Sequence, residues 1–96
     1  MRDLTLTMEP VSGMCNKFYA FVITSDEPDE RWIAADGNKK QTKSGKVRDA
    51  GVTIKTRVWG IGSASYKLTI DLPGTTNDQS LTLTLKDGYH ETEIYI

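Results

Sequence analysis

Hydrophobic and polar residues alternate along most of this chain. In residues 4–8, leucine and methionine occupy every second position, with threonine between them. The same period of two recurs at residues 52–59, 66–72, 81–86 and 91–96. Because successive side chains of a β-strand point to opposite faces of its sheet, each segment is predicted to be a strand with one buried face.

Residues 17–24 differ from these segments because they hold a continuous apolar run, Phe-Tyr-Ala-Phe-Val-Ile. Such a run is typical of a central strand that is covered on both faces. Its aromatic rings are therefore predicted to supply the largest share of the core.

Turn residues lie between the predicted strands. Pro73-Gly74 has the geometry of a type II turn and begins a loop that joins two antiparallel strands. Asp87-Gly88 is a tight-hairpin signal between residues 81–86 and the last strand. The glycines at positions 60–62 favour a tight crossover rather than a nucleotide-binding loop, because no helix follows them and no third glycine is present.

The pattern predicts an all-β protein, a single antiparallel β-sandwich of seven or eight strands over residues 1–96. A chain of 96 residues suits one domain. In strand count alone it resembles the immunoglobulin-like and C2-like sandwiches, a level of likeness that implies no activity.

Two segments lie outside the alternation. Residues 26–37 are compatible with a short helix near residues 27–35, capped by Ser25 or Asp26, or with a strand at residues 31–35. In either case Trp32 and Ile33 are expected to cap the core. Residues 38–45 are polar and rich in turn formers, so a mobile loop is predicted there.

Composition narrows the class of protein. The 12 basic and 13 acidic residues leave a net charge of −1, which is untypical of a specific nucleic-acid binder. No apolar run reaches the length of a membrane span, and no leader segment is visible at the start. Because Cys15 is the only cysteine, a disulfide scaffold is excluded and a cytoplasmic location is predicted, with secretion as a processed chain the alternative.

Catalytic and metal-binding chemistry have few candidate residues. His90 is the only histidine, and a zinc site needs several histidine or cysteine ligands. A Cys15–His90 nucleophile pair would have to meet in space, and nothing in the local sequence suggests that it does. We therefore expect no enzymatic activity and no cofactor, with His90 an ordinary hairpin residue.

An acidic segment precedes a basic one. Asp26, Glu27, Asp29 and Glu30 are candidate Ca²⁺ ligands, although their spacing does not match the twelve-residue calcium loop. The window at residues 37–48 holds no acid, and as a loop it is a candidate site for anionic lipid or another polyanion, with Ca²⁺ assisting. Its basic residues are Lys39, Lys40, Lys43, Lys46 and Arg48.

Two aromatic residues interrupt polar strand faces and are candidate binding anchors. Trp59 lies beside Gly60 on the polar face of its strand, and Tyr95 breaks the polar face of the last strand. The predicted function is a non-enzymatic binding module that recognises a protein through loops and one sheet face. The alternatives are the polyanion-binding module and a small carbohydrate-binding sandwich that uses Trp32, Trp59 or Tyr95.

Overall fold

The computed structural model describes residues 1–24, 29–72 and 78–96. These residues form eight β-strands and no helix, which confirms the predicted all-β fold. The strands are β1 (Arg2–Ser12), β2 (Cys15–Thr24), β3 (Glu30–Asp36), β4 (Gln41–Val47), β5 (Val52–Gly60), β6 (Ser65–Asp71), β7 (Gln79–Thr84) and β8 (Tyr89–Tyr95).

The strands form two four-stranded antiparallel sheets. Sheet I has the order β4-β1-β6-β7, and sheet II has the order β3-β2-β5-β8. Only β2–β3 and β6–β7 are consecutive strands that pair with each other, so every other connection passes from one sheet to the other. The described residues are compact, with a Cα radius of gyration of 13.0 Å. The architecture is a β-sandwich, and a closer likeness to the immunoglobulin or C2 type stays a prediction.

The core lies between the sheets and is built from the inward positions of the alternating segments. Leu4, Leu6 and Met8 of β1 are completely buried, as are Leu68 and Ile70 of β6. Each fully buried aliphatic side chain of this size contributes about 1.5–3 kcal/mol to folding. The period of two is therefore the pattern that selects which face of each strand is buried.

The prediction that β2 is covered on both faces is wrong. β2 is a central strand, but only Phe18, Ala20 and Val22 point into the core. Tyr19 and Phe21 point away from the other sheet and are half-buried. In a two-layer sandwich each sheet packs against one partner layer only, so one side of the apolar run lies on the outside.

The helix alternative near residues 27–35 is also wrong, because β3 (Glu30–Asp36) is a strand that pairs antiparallel with β2. Residues 25–28 lie outside the described part of the chain. The β2–β3 register shifts at Ala20/Phe21, and Trp32 and Ile33 are both buried beside this irregularity. Pairing with β2 satisfies the backbone of a central strand, which a helix at this place would leave open. The expectation that Trp32 and Ile33 cap the core is confirmed.

The loop predicted at residues 38–45 is largely strand. Only residues 37–40 form a turn, and β4 (Gln41–Val47) pairs with β1 along its whole length. Gly45 lies directly under Trp32, where a Cβ atom would be 2.9 Å from Cη2 of the indole. A polar sequence is compatible with an edge strand, because its side chains reach solvent on both faces.

The turn at Asp87-Gly88 forms, but the hairpin does not. Both residues have positive φ, 52° and 82°, as a type I′ turn requires. Lys86 N–H donates to the Tyr89 carbonyl at 2.9 Å, and beyond this bridge β7 continues in sheet I and β8 in sheet II. The predicted antiparallel pairing of β6 with β7 is confirmed, whereas its turn residues 73–77 lie outside the described residues.

Residues 60–62 form the predicted tight crossover between strands, and the structure shows that it leads from β5 in sheet II to β6 in sheet I. Within residues 1–24, 29–72 and 78–96, no helix reaches the length and hydropathy that crossing a membrane requires.

Candidate functional site

The outer face of sheet II carries most of the half-exposed aromatic residues. β2 and β5 run side by side, so Tyr19 lies beside Arg57 and Phe21 beside Lys55. The same register places Trp59 between Lys17 of β2 and Tyr89 of β8. We call this surface the aromatic face, and it comprises Lys17, Tyr19, Phe21, Arg57, Trp59 and Tyr89.

Trp59 is the centre of a ring cluster on the aromatic face. Its ring centroid is 5.4 Å from that of Tyr19, with the planes nearly perpendicular at 87°. On the other side its centroid is 4.9 Å from that of Tyr89. The pair with Tyr19 is edge-to-face and the pair with Tyr89 is tilted at 53°. Aromatic pairs of this kind contribute about 0.5–1.5 kcal/mol each and hold the rings in place. With 39% of its surface exposed, Trp59 presents a fixed apolar group to solvent.

Arg57 connects the ring cluster to the charged residues of β8. Its guanidinium carbon lies 6.0 Å from the centroid of the Phe21 ring, within the range of a cation–π contact. Arg57 Nε is 3.8 Å from a carboxylate oxygen of Glu91. That separation exceeds hydrogen-bond length, so the attraction is electrostatic and leaves the donor without a hydrogen bond.

Glu91 is the hub of an ion-pair network along β5 and β8. Lys55 Nζ lies 3.0 Å from Glu91 and 3.7 Å from Glu93. The Tyr89 hydroxyl donates to Glu91 at 2.7 Å. This hydrogen bond first, and the Lys55 ammonium second, lower the pKa of Glu91 below its ordinary value. The carboxylate therefore stays ionised at neutral pH and keeps Tyr89 oriented beside Trp59.

A shallow cavity of about 260 Å³ opens on the aromatic face. Three rings and two cations line it, and none of its described lining residues is a carboxylate. The volume is below that of the usual small-molecule site, so it fits one or two side chains rather than an extended ligand. The lining residues are Lys17, Tyr19, Phe21, Arg57 and Trp59.

Three exposed aliphatic side chains lie at the end of the sandwich next to Trp59. Val11, Met14 and Ile61 are 54%, 55% and 61% exposed, and we call them the apolar tips. Ile61 N–H donates to the Met14 carbonyl at 2.9 Å, which joins the β1–β2 turn to the β5–β6 turn. Gly60 makes this approach feasible, since a Cβ there would collide with the Met14 carbonyl oxygen. The apolar tips thus continue the aromatic face around the end of the molecule.

The structure does not bring the two predicted aromatic anchors together. Trp59 is partly exposed, as expected, and Tyr95 is 76% exposed on the same side of sheet II. Trp59 pairs with Tyr89, but Tyr95 pairs with Thr53 at the other end of β5. Six strand positions separate the two rows, a distance of roughly 20 Å. Trp32, the third aromatic candidate, is buried and does not reach the surface.

The predicted basic residues do not share one surface. Lys43 and Lys46 are three positions apart in β4, so they point to opposite faces of sheet I. Lys46 forms an ion pair with Asp3 of β1. The Arg48 carbonyl accepts a hydrogen bond from Arg2 Nε at 3.1 Å. The exposed basic residues of this segment are Lys39, Lys40, Lys43, Lys46 and Arg48.

The acidic segment is only partly described. Asp26 and Glu27 lie outside the described residues, whereas Asp29 and Glu30 are exposed. In the part of the chain that is described, no group of three or more histidine, cysteine or acidic residues is close enough to hold a metal ion.

Cys15 and His90 have separate hydrogen-bond partners. Cys15 is buried, and its thiol donates to the Ser65 carbonyl at 3.7 Å. Because burial raises the pKa of the thiol, little nucleophilic thiolate forms at neutral pH. His90 Nδ1 shares hydrogen bonds with the Tyr66 hydroxyl at 2.8 Å and with Thr92 Oγ1 at 3.1 Å. His90 therefore belongs to β8 and faces inward.

Sequence reasoning missed most of the aromatic face. It assigned Tyr19 and Phe21 to the core, because a continuous apolar run does not show which positions face outward. Arg57 and Tyr89 could have been found from the sequence, since Arg57 lies an even number of positions from Trp59 on β5, and Tyr89 an even number from Tyr95 on β8, so each faces outward.

Comparison of the chain with protein-family models, with curated proteins and with solved structures found no match.

Proposed function

We propose that this protein is a non-enzymatic binding module that recognises another protein through the aromatic face and the apolar tips. The observation that carries the proposal is the fixed, exposed ring cluster around Trp59, flanked by Arg57. Tryptophan, tyrosine and arginine are the residues that dominate binding energy in protein interfaces. Here they adjoin exposed aliphatic side chains, so that one surface combines a sheet face with loops.

The lining of the cavity indicates which group of the partner it accepts. Lys17 and Arg57 lie among aromatic walls, and no carboxylate is among the described lining residues. Each cation has a carboxylate just outside the cavity, Asp36 at 3.1 Å from Lys17 Nζ and Glu91 at 3.8 Å from Arg57 Nε, in exposed ion pairs that a partner carboxylate can replace. An apolar or aromatic partner side chain that carries a carboxylate beside it complements both features. Glu91 and Glu93 lie on the far side of Arg57, where they favour a cationic rim on the partner.

The contacts within the aromatic face reduce the cost of binding. Trp59 already packs against rings on both sides, and Tyr89 is held by its hydrogen bond to Glu91. Side chains that are ordered before binding lose less conformational entropy in the complex. This preorganisation supports the aromatic face as a recognition surface.

Capture from a host lysate with matched variants tests the proposal. Trp59→Ala and Arg57→Glu alter the aromatic face, whereas Thr69→Ala alters the outer face of sheet I and is the control. A partner captured by the wild type and the control should bind Trp59→Ala about 30-fold more weakly, the loss expected for a central hot-spot residue. The measurement is calorimetry with the purified partner.

Hydrogen exchange on that complex locates the interface. Protection is expected in β2, β5 and β8 and in the turns that carry Met14 and Ile61. Equal affinity of the wild type and Trp59→Ala, or protection confined to sheet I, would refute the proposal. Retention on anionic vesicles or heparin that is lost when Lys39, Lys40 and Lys43 are reversed would instead favour the polyanion alternative.

A further inference from the structure

The sandwich has four edge strands, and three of them carry features that discourage pairing with another chain. β3 holds Arg31 and an irregular register, and β4 holds Lys43 and Lys46. β8 holds Glu91 and Glu93. Edge charges and bulges prevent strands from adding to an open sheet edge, because they place charge or distortion where a new strand would pair.

The fourth edge strand, β7, carries none of these features. Its sequence is Gln-Ser-Leu-Thr-Leu-Thr, with no charge, proline or glycine, and its register with β6 is regular. On its other side no described strand pairs with it. A row of backbone N–H and C=O groups therefore lies open to a further strand.

The core is incompletely covered beside β7. On the opposite side of the sandwich Trp32 closes the gap between the sheets and is 8% exposed. The inward residues Leu81 and Leu83 of β7 are only half-buried, although the central inward positions are fully buried. Across the gap, Ile94 of β8 is half-buried as well. An added strand at β7 would remove apolar surface from water as well as satisfy backbone groups.

We propose that β7 pairs antiparallel with β7 of a second copy of this chain, which joins the two copies of sheet I into one eight-stranded sheet. An antiparallel register centred on Thr82 places Thr82 opposite Thr82 of the second copy and Leu81 opposite Leu83. Both leucines then keep their inward face and both threonines their outward face. The strand is thus complementary to itself.

Charge selects a second copy of β7 over self-pairing at the other edges. Two copies of β8 in an antiparallel register would bring Glu91 and Glu93 of each chain together, and like charges directly opposite destabilise a strand pair. Uncharged β7 meets no such repulsion. Because the contact is confined to six-residue strands, the dimer is weak and forms at about 10–100 µM protein, as expected for a small interface.

Oxidative cross-linking tests the register. In the proposed dimer the two Cα atoms of residue 82 are about 4.5–5.5 Å apart, within disulfide range. Thr82→Cys should therefore form a covalent dimer under mild oxidation. Thr42→Cys places the same exposed, outward substitution on β4, the other edge of sheet I, and is the matched control. Cys15 is 1% exposed and does not compete.

Sedimentation equilibrium gives an independent readout. Thr82→Lys puts two ammonium groups opposite each other and should weaken dimerisation about fivefold. Thr42→Lys should leave it unchanged, and so should Trp59→Ala, which separates this interface from the proposed partner surface. A monomer at all concentrations, or equal cross-linking of the Thr82→Cys and Thr42→Cys variants, would overturn the proposal, even if a strand from a different protein were found at β7.

Discussion

Tyr66 is the residue on which the polar part of the core depends. It is fully buried in β6, and its ring packs against Phe18 and His90. Its hydroxyl bonds His90 Nδ1 at 2.8 Å and is 3.5 Å from Thr56 Oγ1, itself fully buried. A buried polar group without a hydrogen bond costs about 1–3 kcal/mol, so this network stabilises the fold only while all its members remain.

Replacing Tyr66 by phenylalanine should lower the free energy of unfolding by about 1–2 kcal/mol. The ring and its packing are retained, while Thr56 loses its side-chain contact and His90 keeps only Thr92. Urea unfolding followed by circular dichroism measures the change. Tyr95→Phe, at an exposed hydroxyl, should change stability by less than about 0.5 kcal/mol. Equal effects of both substitutions would show that the network contributes nothing.

At this scale the sequence predicted which side Tyr66 faces and failed for His90. Tyr66 shares the inward parity of Leu68 and Ile70, so its burial follows from alternation alone. His90 follows the Asp87-Gly88 turn, and the sequence predicts only an ordinary hairpin residue there. Its hydrogen bond to Tyr66 joins two sheets, and strand periodicity carries no information on contacts between sheets.

Among the elements, β3 and β4 decide how one side of the sandwich closes. They belong to different sheets, and they meet where the Trp32 ring covers Gly45. Gly45 has no positive φ, so it is required here for space rather than for backbone conformation. The contact explains why a glycine interrupts a strand whose neighbours are polar.

Gly45→Ala should therefore destabilise the protein by about 1–3 kcal/mol, the usual cost of overpacking. The added Cβ would lie 2.9 Å from Cη2 and 3.0 Å from Cζ2 of Trp32. Thermal unfolding gives the change. In a Trp32→Phe background, which lacks these two atoms, the same substitution should cost much less. An equal cost in both backgrounds would mean that the indole is not the obstacle.

The sequence predicts a strand correctly where one face of the strand is exposed to solvent and the other is buried in the core. β5 and β6 match the alternating segments to within one residue at each end, whereas β1 extends from Arg2 to Ser12, beyond the predicted residues 4–8. At β4 the sequence predicts a loop, because polar edge strands resemble loops in composition. The predicted β7–β8 hairpin is also wrong, since a type I′ turn at Asp87-Gly88 does not determine whether the flanking strands stay in one sheet.

For the whole molecule, two buried titratable groups predict alkaline instability. Burial raises the pKa of the Cys15 thiol. Burial is also the largest cause of the raised pKa of the Tyr66 hydroxyl, and the negative charge of the Cys15 thiolate raises it further. In the unfolded chain these groups ionise near their ordinary values, about 8.5 and 10. Above those values the unfolded state holds fewer protons than the folded state, so stability falls as the pH rises.

Urea unfolding between pH 7 and 11 measures this dependence. The free energy of unfolding should begin to fall above about pH 8.5 and fall more steeply above about pH 10. The Tyr66→Phe variant should keep the first decline and lose part of the second. A flat profile up to pH 11, or an unchanged steep part in the variant, would show that these groups are not linked to folding.

The sequence by itself determined the fold class, the inward residues of the alternating strands and the partial exposure of Trp59. These properties follow from side-chain parity along a single strand, which is a local quantity. Only the tertiary structure decided that Tyr19 and Phe21 form an outer surface and that Arg57 lies over Phe21. It also decided that the basic residues of β4 diverge and that β7 is an open edge. Those properties depend on which strands become neighbours and on the presence of only two layers. The pairing of distant segments is not encoded in the hydrophobic period of any single segment.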